Sequence, residues 1–497
     1  MLLAEFTPAD LAQLAAHGIP AAEAQRQLRQ LRAGQVWTRL ARPCTVGDGI
    51  RAISVPRQAL LVERFAIAAG EGRIARFVPA SGAATRMFQP LQAPAGDSRE
   101  LKRFLTELEH FPFITDLVAV LARSGAELDA VRRAGDVPRL LAALLEPGGL
   151  DYARTPKGLL PFHHGNGAVR TAFIEHLAEA ALLVGAGNPA RLHFTVSPEH
   201  RAQFIDQLAA WRGPLEQLYG CPLEVDFSVQ QPATDTLALG PDGAALRDAE
   251  GRLLLRPGGH GALLANLAAL DGDVVLIRNI DNVVPDARKA DNLLWDRLLG
   301  GLLLELVDVQ QALLELLRAN LGDAAVRRWA AAFLRDELGL ALADPEPAAE
   351  QLLTLLDRPL RVCGMVQNSG EPGGGPFWVR GRDDSVSRQI VETSQVDRSD
   401  PEQAAMLAAA THFNPVDMAC ALRDGSGRPY ALERFIEPAA AIVTTKVQNG
   451  QPLRVLEHPG LWNGAMAGWH TLFVELPEST FNPVKTLFDL LRPAHLP

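Results

Sequence analysis

The chain predicts an α/β fold: a Rossmann-like, mainly parallel mixed sheet flanked by helices, preceded by N-terminal helices and followed by a C-terminal α+β extension. Short apolar runs lead there, because RIARFVP, RLHFTVS, LEVDFSVQ, DVVLIRNID and LRVCGMV alternate with helical patterns near 169–184, 199–218 and 286–340. Helices of that length between strands imply crossover connections, and crossovers imply parallel strands covered on both faces. The second observation lies at the ends of those runs. Small residues, Gly, Asn, Asp and Lys cluster after the apolar stretches, at the carboxyl ends where open parallel sheets hold ligands.

In chain order, residues 7–33 carry two amphipathic helical patterns, with Thr7 as N-cap of the first and Gly18-Ile19-Pro20 dividing them. They belong to an N-terminal helical region, 1–70. A nucleotide-binding catalytic domain is expected over 71–365, interrupted by a polar, Leu-rich helical insertion at about 92–149. Within it, 235–255 reads as a hairpin turning at Pro241-Asp242-Gly243. From 366 to 497 the texture becomes more β-like, with strands expected around 387–397, 416–422, 440–447 and 470–476.

Length and composition bound the function. A chain of 497 residues with 47% apolar and 21% charged residues is globular and too long for one small core. No run approaches the roughly 20 apolar residues of a membrane span, and Glu5 and Asp10 stand where a secretory signal needs positive charge. A cytosolic protein, with no membrane partner, is expected. The net charge of -10 argues against nucleic acid as a partner. Four separated cysteines, Cys44, Cys221, Cys363 and Cys420, form no metal or redox motif and read as packing residues.

The chemistry-bearing residues come one segment at a time. In FVPASGAATRMF, the small residues of Ala80, Ser81, Gly82, Ala83 and Ala84 let amides converge on an anion, with Thr85 and Arg86 following. A plain strand-to-helix turn has the same composition. Lys157, between Pro156 and Gly158, suits a mobile polyphosphate, or is a surface lysine in a turn. Gln230 and Gln231 can read a base edge or simply finish a strand. RPGGHG, holding Gly259, His260 and Gly261, is costly unless the backbone must approach a ligand closely. DVVLIRNIDNVV runs into Asp281, a carboxylate placed to hold Mg2+ or to cap a helix. In STFNPVKTLFDLL, Lys485 is expected in the first turn of an amphipathic helix, where it opposes the macrodipole and needs an anion to compensate it.

Taken together and in this order, Gly82-Ala83-Ala84-Thr85-Arg86, Pro156-Lys157, Gln230/Gln231, Pro257-Gly258-Gly259-His260-Gly261, Asn279-Ile280-Asp281-Asn282 and Pro483-Val484-Lys485 resemble the UDP-sugar pyrophosphorylases. The likeness is to the eukaryotic UDP-glucose and UDP-N-acetylhexosamine type, spread over Phe77 to Leu491. The whole chain also resembles a bacterial family, DUF4301-like, that shares FVPASGAATRMF, RPGGHGAL, GEPGGGPF and GLWNGAM. Ser81 and Ala84 replace glycines of the pyrophosphorylase loop, which leaves the choice of nucleotide open.

The resemblance implies the nucleotide-diphospho-sugar transferase type of sheet and a nucleotidyltransferase joining a nucleoside triphosphate to a sugar 1-phosphate, with Mg2+ as cofactor and pyrophosphate as product. It implies Arg86, Lys157 and Lys485 as catalytic groups and Asp281 as metal ligand. It also implies Ala80, Ser81, Gly82, Ala83, Thr85, Gln230, Gln231, Gly259, His260 and Gly261 around the nucleotide. Glu371, Asn414, Lys446 and Asn463 are candidates for the sugar, although THFNPVD and LWNGAM also suit structural corners. Two alternatives stand beside it: a glycosyltransferase using Asp271-Gly272-Asp273, and a nucleotide-sugar-binding protein without catalysis.

Overall fold

A computed structural model describes residues 5–82, 84–91, 99–165, 167–342, 344–370, 373–448 and 451–496. The architecture is mixed α/β, with a mainly parallel central sheet flanked by helices. By contacts the chain forms two compact units, each built from separated stretches of sequence.

The first unit holds 1–64, 230–275 and 299–476. Its opening helices, Pro8–His17 and Ala21–Ala33, begin with a reciprocal Thr7–Asp10 capping box, and Gly18 ends the first in a left-handed conformation. Their apolar faces, through Leu14, Leu28 and Leu31, pack on Leu237, Leu239 and Leu456 of a four-stranded sheet. That sheet runs in the order Leu255–Arg256, Thr236–Leu239, Gln451–Glu457, Ile442–Gln448. Gly49–Arg51, His470–Glu475 and Leu360–Gln367 are parallel neighbours, and Met418–Ala421 adds an antiparallel strand to Leu360–Gln367. Leu360–Gln367 is buried at seven successive residues, as a strand covered on both faces must be.

The second unit holds 65–229, 276–298 and 477–497. Strands Ile74–Pro79, Ala190–Thr195 and Leu223–Ser228 are parallel and in continuous register. Helix Ala172–Val184 is buried at every residue but Leu182. Arg201–Tyr219 packs beside it, Phe204 against Phe173 at 5.3 Å between ring centroids. Among the described residues the expected insertion holds four α-helices, Arg99–Glu107, Ile114–Arg123, Leu128–Ala134 and Val137–Leu145. Strand Val274–Ile277 is divided between the two units. Among the described residues no helix is long and apolar enough to cross a membrane.

The C-terminal segment differs from expectation. No α-helix carries Lys485; a 3-10 turn, Leu487–Leu491, begins two residues later. Asp489 accepts from the backbone N–H of Lys485 (2.8 Å) and Thr486 (2.6 Å), so the segment closes as a tight capped turn.

Candidate active site

In the second unit, three separated segments meet. Strand Ile74–Pro79 ends at Ala80, whose N–H bonds to Thr195 O at 2.8 Å. Past it, Gly82 O accepts from Lys157 N–H at 3.1 Å, and Ala84 N–H donates to Thr155 O at 3.2 Å. The small-residue loop and the Pro-Lys segment are therefore stitched together by backbone bonds. After Ile277, Arg278 N–H donates to Phe77 O (3.2 Å), which sets the height at which Asn279, Ile280 and Asp281 emerge. Asp281 O accepts from Val484 N–H at 3.0 Å, and Asn282 pairs with Pro483 as an isolated bridge. The Asn282 amide clamps the same segment, donating to Thr480 O (3.2 Å) and accepting from Asn482 N–H (2.8 Å).

This arrangement delivers two ammonium groups to one carboxylate oxygen. Lys157 Nζ lies 2.8 Å and Lys485 Nζ 3.2 Å from Asp281 Oδ2. Burial alone would raise the Asp281 pKa; the two lysines overcome it and hold the carboxyl below its ordinary range. The helix dipole that would have called for an anion beside Lys485 is absent, yet its ammonium still faces Asp281. A hard cation could share this carboxylate only through Oδ1, because Oδ2 is taken by the two ammonium groups, and it would draw its remaining ligands from phosphates and water. Among the described residues no group of three or more His, Cys, Asp or Glu stands together to hold a metal. A Mg2+ ion at Asp281 would therefore rely on phosphate and water for the rest of its shell.

Behind the site lie two buried ionic networks. Arg76 pairs with Glu179 and Asp296, each at 2.7 Å, and Arg278 with Asp296 at 2.9 Å. His176, in the same cluster, is pushed down to about 3, by burial first and then by Arg76. The second network links Glu175 to Lys289 (2.5 Å) and His163 (3.1 Å), and His163 to His495 (2.8 Å). Lys289 also donates to Val284 O at 2.6 Å. Together they tie the turns on either side of Asp281, and the C-terminal segment bearing Lys485, to helix Ala172–Val184. Glu175 and Glu179, one turn apart on a helix apolar but for them and His176, were a sequence signal for such partners.

Of the loop candidates, Ala80 is buried at the strand end. Ser81, Gly82, Thr85 and Arg86 are exposed, and Ala83 lies outside the described residues. A Cβ on Gly82 would meet nothing within 4 Å, so packing gives no reason for that glycine. Arg86, in the short helix Thr85–Phe88, makes no ion pair among the described residues.

The other candidates fall in the first unit. Gln230 is half-buried and Gln231 exposed. The glycines of RPGGHG have a protein cause, contrary to the expectation that only a ligand would justify them. A Cβ on Gly261 would stand 2.1 Å from Pro459 O, and one on Gly258 2.4 Å from Thr234 O. Gly259 needs φ +75°. His260 stacks on Trp462 (4.4 Å), accepts from Leu461 N–H and sits 3.5 Å from Glu392.

Glu371 lies outside the described residues. Asn414 Oδ1 accepts from Val416 N–H at 3.0 Å in a turn that places Val416 at φ +64°, a structural corner. Lys446 is exposed, 3.5 Å from Glu457. Asn463 is buried and donates to Gln395 (3.1 Å). Asp271 and Asp273 both pair with Arg423, so the carboxylates of Asp271-Gly272-Asp273 already have a cationic partner.

Comparison with known proteins sets this geometry in context. The family described as a domain of unknown function (DUF4301) matches residues 7–496. No curated protein matches the chain. Among solved structures, the UDP-N-acetylglucosamine pyrophosphorylase of Trypanosoma brucei, in complex with inhibitor, is 15% identical, with a TM-score of 0.51 over 98% of this chain and 79% of that one. A UDP-glucose pyrophosphorylase from Leishmania major is 14% identical, with a TM-score of 0.46 over 97% and 77%. The T. brucei structure shares the fold of this chain.

Proposed function

We propose, for a chain that belongs to the DUF4301 family, that it is a sugar-1-phosphate nucleotidyltransferase acting in the cytosol: a nucleoside triphosphate and a sugar 1-phosphate give a nucleotide sugar and pyrophosphate. One observation carries the reading, the convergence of Lys157 and Lys485 on Asp281 beside a loop whose Gly82 has no packing role.

In this reaction an anionic oxygen of the sugar phosphate attacks the α-phosphorus, and the bond from that phosphorus to the β-bridging oxygen breaks. Neither reactant needs a protein base, because the attacking phosphate is already ionised at neutral pH. The demand on the protein is to align two anions that repel each other and to neutralise charge that grows in the transition state. Lys157, held with little freedom at 15% side-chain exposure, would grip the triphosphate. Lys485, at 47%, is free enough to move onto the reacting phosphates. Arg86 and the amides around Gly82 would take the pyrophosphate. Mg2+, held by Asp281, would supply charge neutralisation on the phosphates.

The test is pyrophosphate release from each nucleoside triphosphate with a panel of sugar 1-phosphates and Mg2+. Release with at least one pair, and its loss in a folded Asp281→Ala variant, is expected. Binding without turnover across the panel would instead leave a nucleotide-sugar-binding protein, and unchanged turnover in the variant would remove Asp281 from the site.

A further inference from the structure

The first unit contains a cavity of about 1520 Å³ that the proposed reaction does not use. Its walls include Leu353, Thr354, Asp357 and Arg358, which lead into strand Leu360–Gln367, and Ala467 and Gly468, which lead into the parallel strand His470–Glu475. It therefore opens at the amino-terminal edge of these strands, whereas ligands of open parallel sheets collect at the carboxyl edge. Its electrostatics also run against the rest of the chain. Seven arginines line it against five acidic side chains, in a protein of net charge -10.

The acids are largely committed. Asp357 faces Arg318 (3.4 Å) and the Tyr430 hydroxyl (3.2 Å), and Asp424 faces Arg428 (3.5 Å). Asp383 accepts from Ser385, and Glu437 from Ala439 N–H. By contrast, Arg39, Arg358, Arg382 and Arg434 form no ion pair among the described residues. Arg358 is the most telling, because it is half-buried, and burial without a counter-charge pushes its pKa down. A second group also lacks a partner: Asn463, 1% exposed and part of the cavity wall, has an Oδ1 that accepts no hydrogen bond. Trp37 stands at the rim, 44% exposed.

We propose that this cavity is a second ligand site, one that takes a small molecule bearing two or more phosphates, held by the planar donors of Arg39, Arg358, Arg382 and Arg434. Guanidinium groups bind phosphate oxygens in bidentate fashion, and several around one cavity select for more than one phosphate over a single anion. An exposed indole at the rim offers a face on which a ring of the same ligand can stack. The site lies on different residues from Lys157, Lys485 and Asp281, so it would let a phosphorylated metabolite act on the protein without competing at the proposed reaction centre.

Inorganic tripolyphosphate is the probe, titrated into the full chain by calorimetry, with hydrogen exchange to locate binding. Protection of 353–358 and 428–440 is expected. An Arg39→Gln/Arg358→Gln/Arg434→Gln variant should lose that protection and about tenfold or more in affinity for this event, while protection near 155–160 persists. The single exposed variant Arg434→Glu, which leaves the half-buried Arg358 intact, should weaken the same event and guards against a folding defect in the triple variant. Protection confined to 155–160 and 480–486, identical isotherms for wild type and variants, or no binding of the probe would each overturn the proposal.

Discussion

Replacing Asp281 by Asn keeps shape and removes the charge on which both lysines rest, and the two contacts should respond very differently. Lys157 and Asp281 are 15% and 10% exposed at the side chain and 2.8 Å apart. Breaking such a pair leaves a buried charge uncompensated, which costs about 3 kcal/mol. Lys485 is 47% exposed at 3.2 Å, so solvent screens its share to about 0.5 kcal/mol. A double-mutant cycle separates them: Asp281→Asn with Lys157→Met should show a coupling of about 2–3 kcal/mol, and with Lys485→Met less than about 1 kcal/mol. Urea unfolding followed by both circular dichroism and fluorescence is the assay, with coincident curves required before a free energy is taken. The pH dependence gives an independent check. The folded-state pKa of Asp281 is depressed, so its stabilisation is fully present above the unfolded value near 4 and is lost only as pH falls through the folded one. The wild type and Asp281→Asn should therefore differ by a constant amount from pH 5 to 8. Equal couplings for the two lysines, or a difference that changes near neutrality, would refute this account of the charge cluster.

Other consequences are read by kinetics and acid titration. Lys485→Ala should lower kcat more than nucleotide affinity if the ammonium acts on the transition state, and single-turnover kinetics would show a pure binding loss if it does not. Asn282→Ala removes the bonds to Thr480 and Asn482 and should cost about 2 kcal/mol, with faster amide exchange over 480–486; unchanged exchange there would show that the clamp is not needed. His495 is pushed down to about 3, by burial first and then by His163. An imidazole held neutral in the fold destabilises it as pH falls below the unfolded value near 6.5, by up to about 2 kcal/mol at pH 5. His495→Gln should flatten that slope, and an unaltered slope would assign the acid sensitivity elsewhere.

What could be read in the sequence was local. The strand Ile74–Pro79, the apolar run before Asn279 and the Thr7 cap each declare themselves through neighbours a few residues away. Lys485 was partly legible, because a cation near the start of a helical pattern asked for an anion, yet the expected helix is a capped 3-10 turn. Long-range causes were not legible. The glycines of RPGGHG look like a ligand loop because sequence cannot show Pro459 and Thr234 standing where their side chains would be. Nor could Glu175 name Lys289 and His163 as partners, since burial permits its charge only through contacts made after folding. The same reason hid the arginine-lined cavity, whose members run from Arg39 to Arg434 with no shared motif.

The cost of the Asp281 cluster bears on what it is for. Two ammonium groups and one carboxylate leave a net positive charge held in place by a largely buried acid. Such a cluster adds little to stability compared with an apolar replacement, because desolvation consumes most of the attraction. Its consequence is geometric. Asp281 fixes Lys157 beside the Gly82 loop, and the Asn282 clamp delivers Lys485 to the same oxygen from the far end of the chain. An arriving polyphosphate would find Lys157 largely buried and already aligned, and would need only to draw the more exposed Lys485 away from Asp281. On this reasoning a variant that keeps both lysines but loses Asp281 fails by misplacement. Its affinity for phosphate would stay near the wild-type value, or rise, while turnover falls, and a parallel loss of both would mean that Asp281 acts on the ligand alone.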